Sequence, residues 1–237
     1  MMRAYMFDAL VVSDYLKQRA LSGLIVVAFI VMGTEGLAVV PAVFISLYGI
    51  MGPMSAFAYD ENNAWETTRL TLPVSRGQVV TARYLMAVTF TVSAFVFAMA
   101  IIGVLWVAGQ VLPLPAGIAA MLELDGDGLV SIGLSACVTA FMAAVVTSVT
   151  LPLAFKMGNT KATQYAPFII CALMFVGAIA FANVVGSGAL AGMQGVFDWL
   201  SQPVNLALTA SGVLVLAAML MVASAGIARR FYATRDM

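Results

Sequence analysis

No histidine occurs among the 237 residues, cysteine occurs twice, and only 9% of positions carry a charged side chain. Each scarcity removes a class of function. Without histidine the chain has no imidazole to serve as a general base or as the commonest metal ligand. Cys137 and Cys171 both lie inside apolar runs, so they read as packing residues and not as a disulfide framework or a cluster site. The three lysines follow Leu16, Phe155 and Thr160, so the Gly-Lys pair of a phosphate-cradling GxxxxGK[ST] loop is missing and ATP cannot be held that way. Ionisable side chains are also missing from the middle of every apolar run, where proton relays and ion-coupled carriers need them. No nucleophile has a base to activate it, and paired carboxylates occur only in polar stretches, so no enzyme activity, bound cofactor or bound metal is expected of this chain. No nucleic-acid partner is expected of so apolar a chain.

Apolar sequence fills the space. Hydrophobic residues make up 63% of the chain, with 16 Met and 14 Phe, and the mean hydropathy is +1.04; soluble domains hold about half apolar and a quarter charged residues. The chain is expected to be a single all-α integral membrane domain over residues 1–237, because a helix satisfies its own backbone in hydrocarbon and an isolated strand does not. Six spans are predicted, at about residues 20–34, 37–58, 79–107, 129–152, 165–185 and 204–228. The first is short: the 15 residues of Ala20–Thr34 rise only about 22 Å against a hydrocarbon thickness of roughly 30 Å. The N-terminal stretch resembles a secretory leader, but Asp8 and Asp14 sit where its basic region would be, so it is expected to be retained.

Alternating the spans divides the charges unevenly. All eleven basic residues fall on one side together with six acidic ones, a net charge of +5, while Glu35, Glu123, Asp125, Asp127 and Asp198 share the other side with no base. The positive-inside rule then places both termini and the segments 59–76 and 153–164 in the cytoplasm, and residues 108–128 and 186–203 in outer loops. Val196, Phe197, Trp199 and Leu200 suit a helix lying at the outer interface.

The most polar stretch, YDENNAWETTRLTLPVSRGQVV at residues 59–80, reads as two helices and a hinge. Asn63 followed by Glu66 is the pattern of a capping box, Glu66 and Arg69 are helical neighbours, and Trp65, Thr68 and Leu72 share one face. Pro73 ends that short helix. Ser75 and Gln78 form a second capping box that opens the next span, with Arg76 and Arg83 close to one face at headgroup level. One reading is a solvated loop whose arginines merely obey the orientation rule. The other is a rigid docking elbow, since two successive caps around a proline specify geometry that a linker does not need.

The run from Asp60-Glu61 through Trp65 to LPVSRGQVVTARYL resembles the "De..nW...slPvsR..iV..rYl" signature of permease subunits of type-two ABC exporters, specifically the small bacterial six-span group typified by peptide and bacteriocin exporters. The segment LPLAFKMGNTKATQ is similar to that family's loop after the fourth span, with Lys156, Gly158 and Lys161 in the expected places. The resemblance covers most of the chain, apart from the outer loops. It implies a coupling helix between spans two and three seated on a cytosolic ABC ATPase subunit, which would hold ATP and magnesium, and a second permease protomer, identical or not, completing the conduit in the cell membrane. On that basis Asp60, Glu61, Trp65, Glu66, Arg69, Leu72, Pro73, Arg76, Lys156 and Lys161 are the candidate coupling residues.

Two further features have plainer explanations. Ala136, Ala140, Ala144 and Ser148 make a small-residue strip on the fourth span, suited to close helix packing within the chain or between protomers. Glu123-Leu-Asp125-Gly-Asp127-Gly128 imitates the start of a calcium loop, but its twelfth position is Leu134, so it reads as a turn. Spans without buried charge suit an amphipathic peptide or lipid-like cargo. A non-transporting scaffold that recruits a cytosolic partner through the same elbow is the competing expectation.

Overall fold

The computed structural model describes residues 25–26, 36–62, 75–158, 160–200 and 202–233, and no strand occurs among them. Seven α-helices follow in order among these residues: α1 (Val39–Ile45), a π-helical turn (Ser46–Ile50), α2 (Met51–Asn62), α3 (Arg76–Val111), α4 (Ala116–Met121), α5 (Gly126–Met157), α6 (Lys161–Leu200) and α7 (Pro203–Ala233). Among the described residues, Val39–Phe57, Arg76–Val111, Gly126–Met157 and Val204–Ala233 are long and apolar enough to cross a membrane, and Lys161–Gly177 is a shorter apolar helix. The chain is a multi-pass helical membrane protein. The expected span at 20–34 lies outside the described residues, except for the helical pair Ile25 and Val26.

Three expected boundaries differ. The outer loop expected at 186–203 is helical as far as Leu200, because α6 runs unbroken for 40 residues. The glycines of GSGALAGMQG weaken a helix by only about 1 kcal/mol each, and no proline follows Pro167 before Pro203. The connection expected at 153–164 shrinks to residues 158–160, between the end of α5 and the start of α6. Gly158 closes α5 at φ 71°, a left-handed conformation that favours glycine, and its N–H returns to the Ala154 carbonyl at 2.8 Å. Within 108–128 the chain forms α4, and Asp125 belongs to no free turn: its carboxylate accepts the Gly128 N–H at 2.7 Å and caps α5.

Two buried clusters hold the bundle. In the first, Val40, Phe44 and Ile45 of α1 pack on Ala94 and Ala98 of α3 and on Ile132, Ala143 and Val146 of α5. The π turn and α2 lie tight against this face. A Cβ on Gly49 would come within 2.9 Å of the Thr91 hydroxyl, and one on Gly52 within 2.8 Å of the Phe90 ring. Pro53 has no N–H to return to the carbonyl of residue 49, and the π turn lies directly upstream of that break. In the second cluster, Val79, Val80 and Tyr84 of α3 meet Leu151 and Phe155 of α5 and Ala228 and Tyr232 of α7, with Phe57 of α2 against them. Two threonines inside the spans bond back along their own helices, Thr91 to Ala87 at 3.1 Å and Thr150 to Val146 at 2.8 Å, so neither hydroxyl is left bare in hydrocarbon, whereas the buried Ser148 hydroxyl has no partner among the described residues.

Candidate functional site at the basic end of the bundle

The helix ends sort by charge as the sequence demands. Arg76 and Arg83 at the start of α3, Lys156 at the end of α5, Lys161 at the start of α6 and Arg229 and Arg230 at the end of α7 share one end. Glu123, Asp125 and Asp127 stand at the other, where Glu123 and Asp125 line a cavity of about 310 Å³ with Gly36, Leu37 and Ala38. Asp60 and Glu61 lie on the last turn of α2, at the basic end. Trp65, Glu66, Arg69, Leu72 and Pro73 lie outside the described residues.

The start of α3 is fixed by local chemistry. Ser75 is extended at φ −73°, ψ 151°; its hydroxyl accepts the Gln78 N–H at 3.3 Å while the Gln78 side chain accepts the Ser75 N–H at 3.2 Å. This is the reciprocal box read from the sequence. It sets the direction in which the chain leaves the segment between α2 and α3.

Arg76 is exposed, and its side chain reaches sideways to α7. Its Nη1 donates to the carbonyls of Tyr232 at 3.3 Å and Ala233 at 3.0 Å, the last turn of α7. Those carbonyls have no intrahelical donors, and a cation there also meets the negative end of the helix dipole. In the opposite direction Arg229 of α7 donates to the Thr81 hydroxyl of α3 at 2.8 Å. Arg83, expected beside Arg76 at headgroup level, is only 2% exposed: its guanidinium lies over the Phe57 ring at 5.0 Å, and Phe57 meets Phe155 edge to face. A delocalised, weakly hydrated guanidinium tolerates such an aromatic seat. Lys156 lies over the Phe231 ring at 5.2 Å, tying the end of α5 to the end of α7. Lys161 is exposed at the start of α6, where the Thr163 hydroxyl donates to the Gly158 carbonyl at 2.9 Å.

One polar contact is absent from the sequence reading. Pro152 inside α5 has no N–H for the carbonyl of Ser148 four residues earlier. That carbonyl instead accepts the Ser224 hydroxyl of α7 at 2.5 Å, and Ser224 accepts the Tyr84 hydroxyl of α3 at 2.6 Å. A proline in one span thus creates an acceptor that two other spans share. The sequence does hold a signal for it, since a proline within an apolar run frees a carbonyl that must find a donor. Ser148, the last member of the small-residue strip, supplies that carbonyl, and Gly133 on the same helix faces Leu206 of α7. Ala136 joins the cluster around α1.

Among the described residues no cluster of acids and cysteines could hold a metal ion. The described part of the site is a meeting of the start of α3 with the ends of α5 and α7. No curated protein and no solved structure matches the chain. The family model described as ABC-2 family transporter protein matches residues 9–233. Nearly the whole helical bundle, with its basic end and its capped entry to α3, falls within that match, and the chain belongs to the ABC-2 family of transporter proteins as a membrane permease.

Proposed function

We propose that this permease is the membrane half of an ATP-driven exporter in a bacterial cell membrane, paired with a second permease protomer and with cytosolic ATPase subunits. Membership of the ABC-2 family implies a partnering ATPase in general terms. The residues of this chain carry no phosphate loop, so the nucleotide belongs to the partner. The segment 59–76 is the docking elbow. Trp65 and Leu72 enter an apolar groove of the ATPase, Glu66 and Arg69 make polar contacts beside it, and Asp60, Glu61, Arg76, Lys156 and Lys161 flank the seat. Closure of the ATPases on ATP drives the bundle between inward-open and outward-open states, and the cargo is an amphipathic peptide or lipid-like molecule.

The observation that carries this reading is the capping box at Ser75–Gln78. It gives the elbow a fixed exit into α3 at the basic end, beside the short α5–α6 connection. Purification of the tagged permease from its native membrane is expected to bring down a stoichiometric protein with a GxxxxGK[ST] loop, and a different stoichiometric partner would favour a scaffold. Trp65→Ala and Glu66→Arg are expected to leave insertion intact and to abolish the dependence of the partner's ATP hydrolysis on the permease. Wild-type coupling in both variants would remove the elbow from the mechanism.

A further inference from the structure

The elbow enters α3, but the contacts at the start of α3 do not stop there. Arg76 caps the final carbonyls of α7, Arg229 returns from α7 to Thr81, and the Tyr84 hydroxyl reaches Ser224, which bonds the proline-freed carbonyl of Ser148 on α5. These bonds run along about two turns of α3, from residue 76 to residue 84, and join it to α7 at three levels. Residues 79, 80 and 84 of α3 interlock with 228 and 232 of α7 and with 151 and 155 of α5 in the same interval. The described part of α6 contributes no residue to this cluster and meets α3 and α7 only sparsely, though it packs on α5, whereas α5 and α7 pack over much of their length.

We infer that Arg76 is a positioning residue that latches the C-terminal turn of α7 to the start of α3, so that α3 and α7 respond to the elbow as one lever and α6, which scarcely meets either, is the helix they move against. The inference rests on the ATP-driven reading above. It adds a route for the force and assigns the end of α7, which no motif marks, to the coupling machinery. The geometry of the latch is suited to carrying force, because one cationic nitrogen shared by two carbonyl acceptors at a helix end ties α3 to α7, while packing alone in lipid permits small slips.

Pairs of spin labels at exposed positions test it. Val88→Cys on α3 is combined with Val222→Cys on α7 or with Leu173→Cys on α6, positions 47%, 73% and 66% exposed. Cys137 and Cys171 are replaced by alanine. The permease is purified with its ATPase in lipid nanodiscs, and distances are measured without nucleotide and after trapping with Mg-ATP and vanadate. The expected result is a separation between 88 and 222 constant to about 1 Å while that between 88 and 173 shifts by more than about 2 Å, the size of helix displacements in switching proteins. Arg76→Ala is expected to let the 88–222 pair drift by more than about 2 Å on trapping, and Arg76→Lys, which keeps a donor and a charge at the carbonyls, to restore its constancy. Ser224→Ala gives a second way to loosen the pair should Arg76→Ala fail to assemble. An 88–222 shift in the wild-type protein overturns the latch and leaves the ATP-driven reading standing. If both pairs stay fixed on trapping, the ATP-driven reading fails and the latch falls with it.

Discussion

At the scale of single residues the chain economises on polar groups and then uses each one between helices. Ser224 donates to the Ser148 carbonyl and accepts from Tyr84, so its removal leaves two groups short at once. Ser224→Ala is expected to lower stability by about 1–2 kcal/mol, and Tyr84→Phe by about half that, in line with interhelical hydrogen bonds in membranes. The two losses are not additive. In the Ser224→Ala background Tyr84→Phe is expected to be close to neutral, as reversible unfolding in mild detergent would read. Gly52 is the steric counterpart: a Cβ there would meet the Phe90 ring at 2.8 Å, so Gly52→Val is expected to cost about 1–3 kcal/mol in the same measurement. Local chemistry of this kind is only partly legible in the sequence. The Ser75–Gln78 box can be read because both partners sit within one turn. The Tyr84–Ser224 bond joins residues 140 positions apart, and only the missing N–H of Pro152 hints that something has to arrive at Ser148.

Elements obey the sequence where hydrophobic runs and caps coincide, and depart from it where composition imitates a break. Ser75→Ala removes the hydroxyl that holds the Gln78 amide. A lost cap of this type costs about 1 kcal/mol, so the first-turn amides of α3 are expected to exchange about fivefold faster with deuterium. The helices long and apolar enough to cross a membrane, Val39–Phe57, Arg76–Val111, Gly126–Met157 and Val204–Ala233, overlap the spans predicted at 37–58, 79–107, 129–152 and 204–228. The glycine-rich outer stretch of α6 reads as a loop because glycine punctuates soluble chains. It is helical here, since a helix that satisfies its own backbone loses less at glycine than an open loop does near lipid. The coupling residues from Trp65 to Pro73 lie outside the described residues, and their role rests on the sequence pattern.

For the whole molecule the organising quantity is charge. The bases near the ends of α3, α5 and α7 gather at one end, and Glu123, Asp125 and Asp127 gather at the other, although the bases come from segments far apart in sequence. That division is legible from alternation alone, because any even number of crossings between two charge groups returns the chain to the same face. The basic end is expected to face the cytoplasm. In a chain with Cys137 and Cys171 replaced by alanine, Glu123→Cys is expected to react with a membrane-impermeant maleimide in intact cells, and Arg230→Cys only after the cells are opened. The reverse pattern would invert the bundle.

The length of α6 sets a limit on how the protein sits in lipid. Its 40 residues rise about 60 Å as a straight rod, roughly twice the hydrocarbon thickness. Even at a steep lean of about 40° it would measure some 46 Å along the bilayer normal, so at least about 15 Å must stand clear of the oil. Since Lys161 holds its start among the other cations, the overhang rises beyond the opposite leaflet and carries Asp198 with it. Together with the 36-residue α3, which also exceeds the hydrocarbon thickness, it gives the surface opposite the cations a raised helical rim.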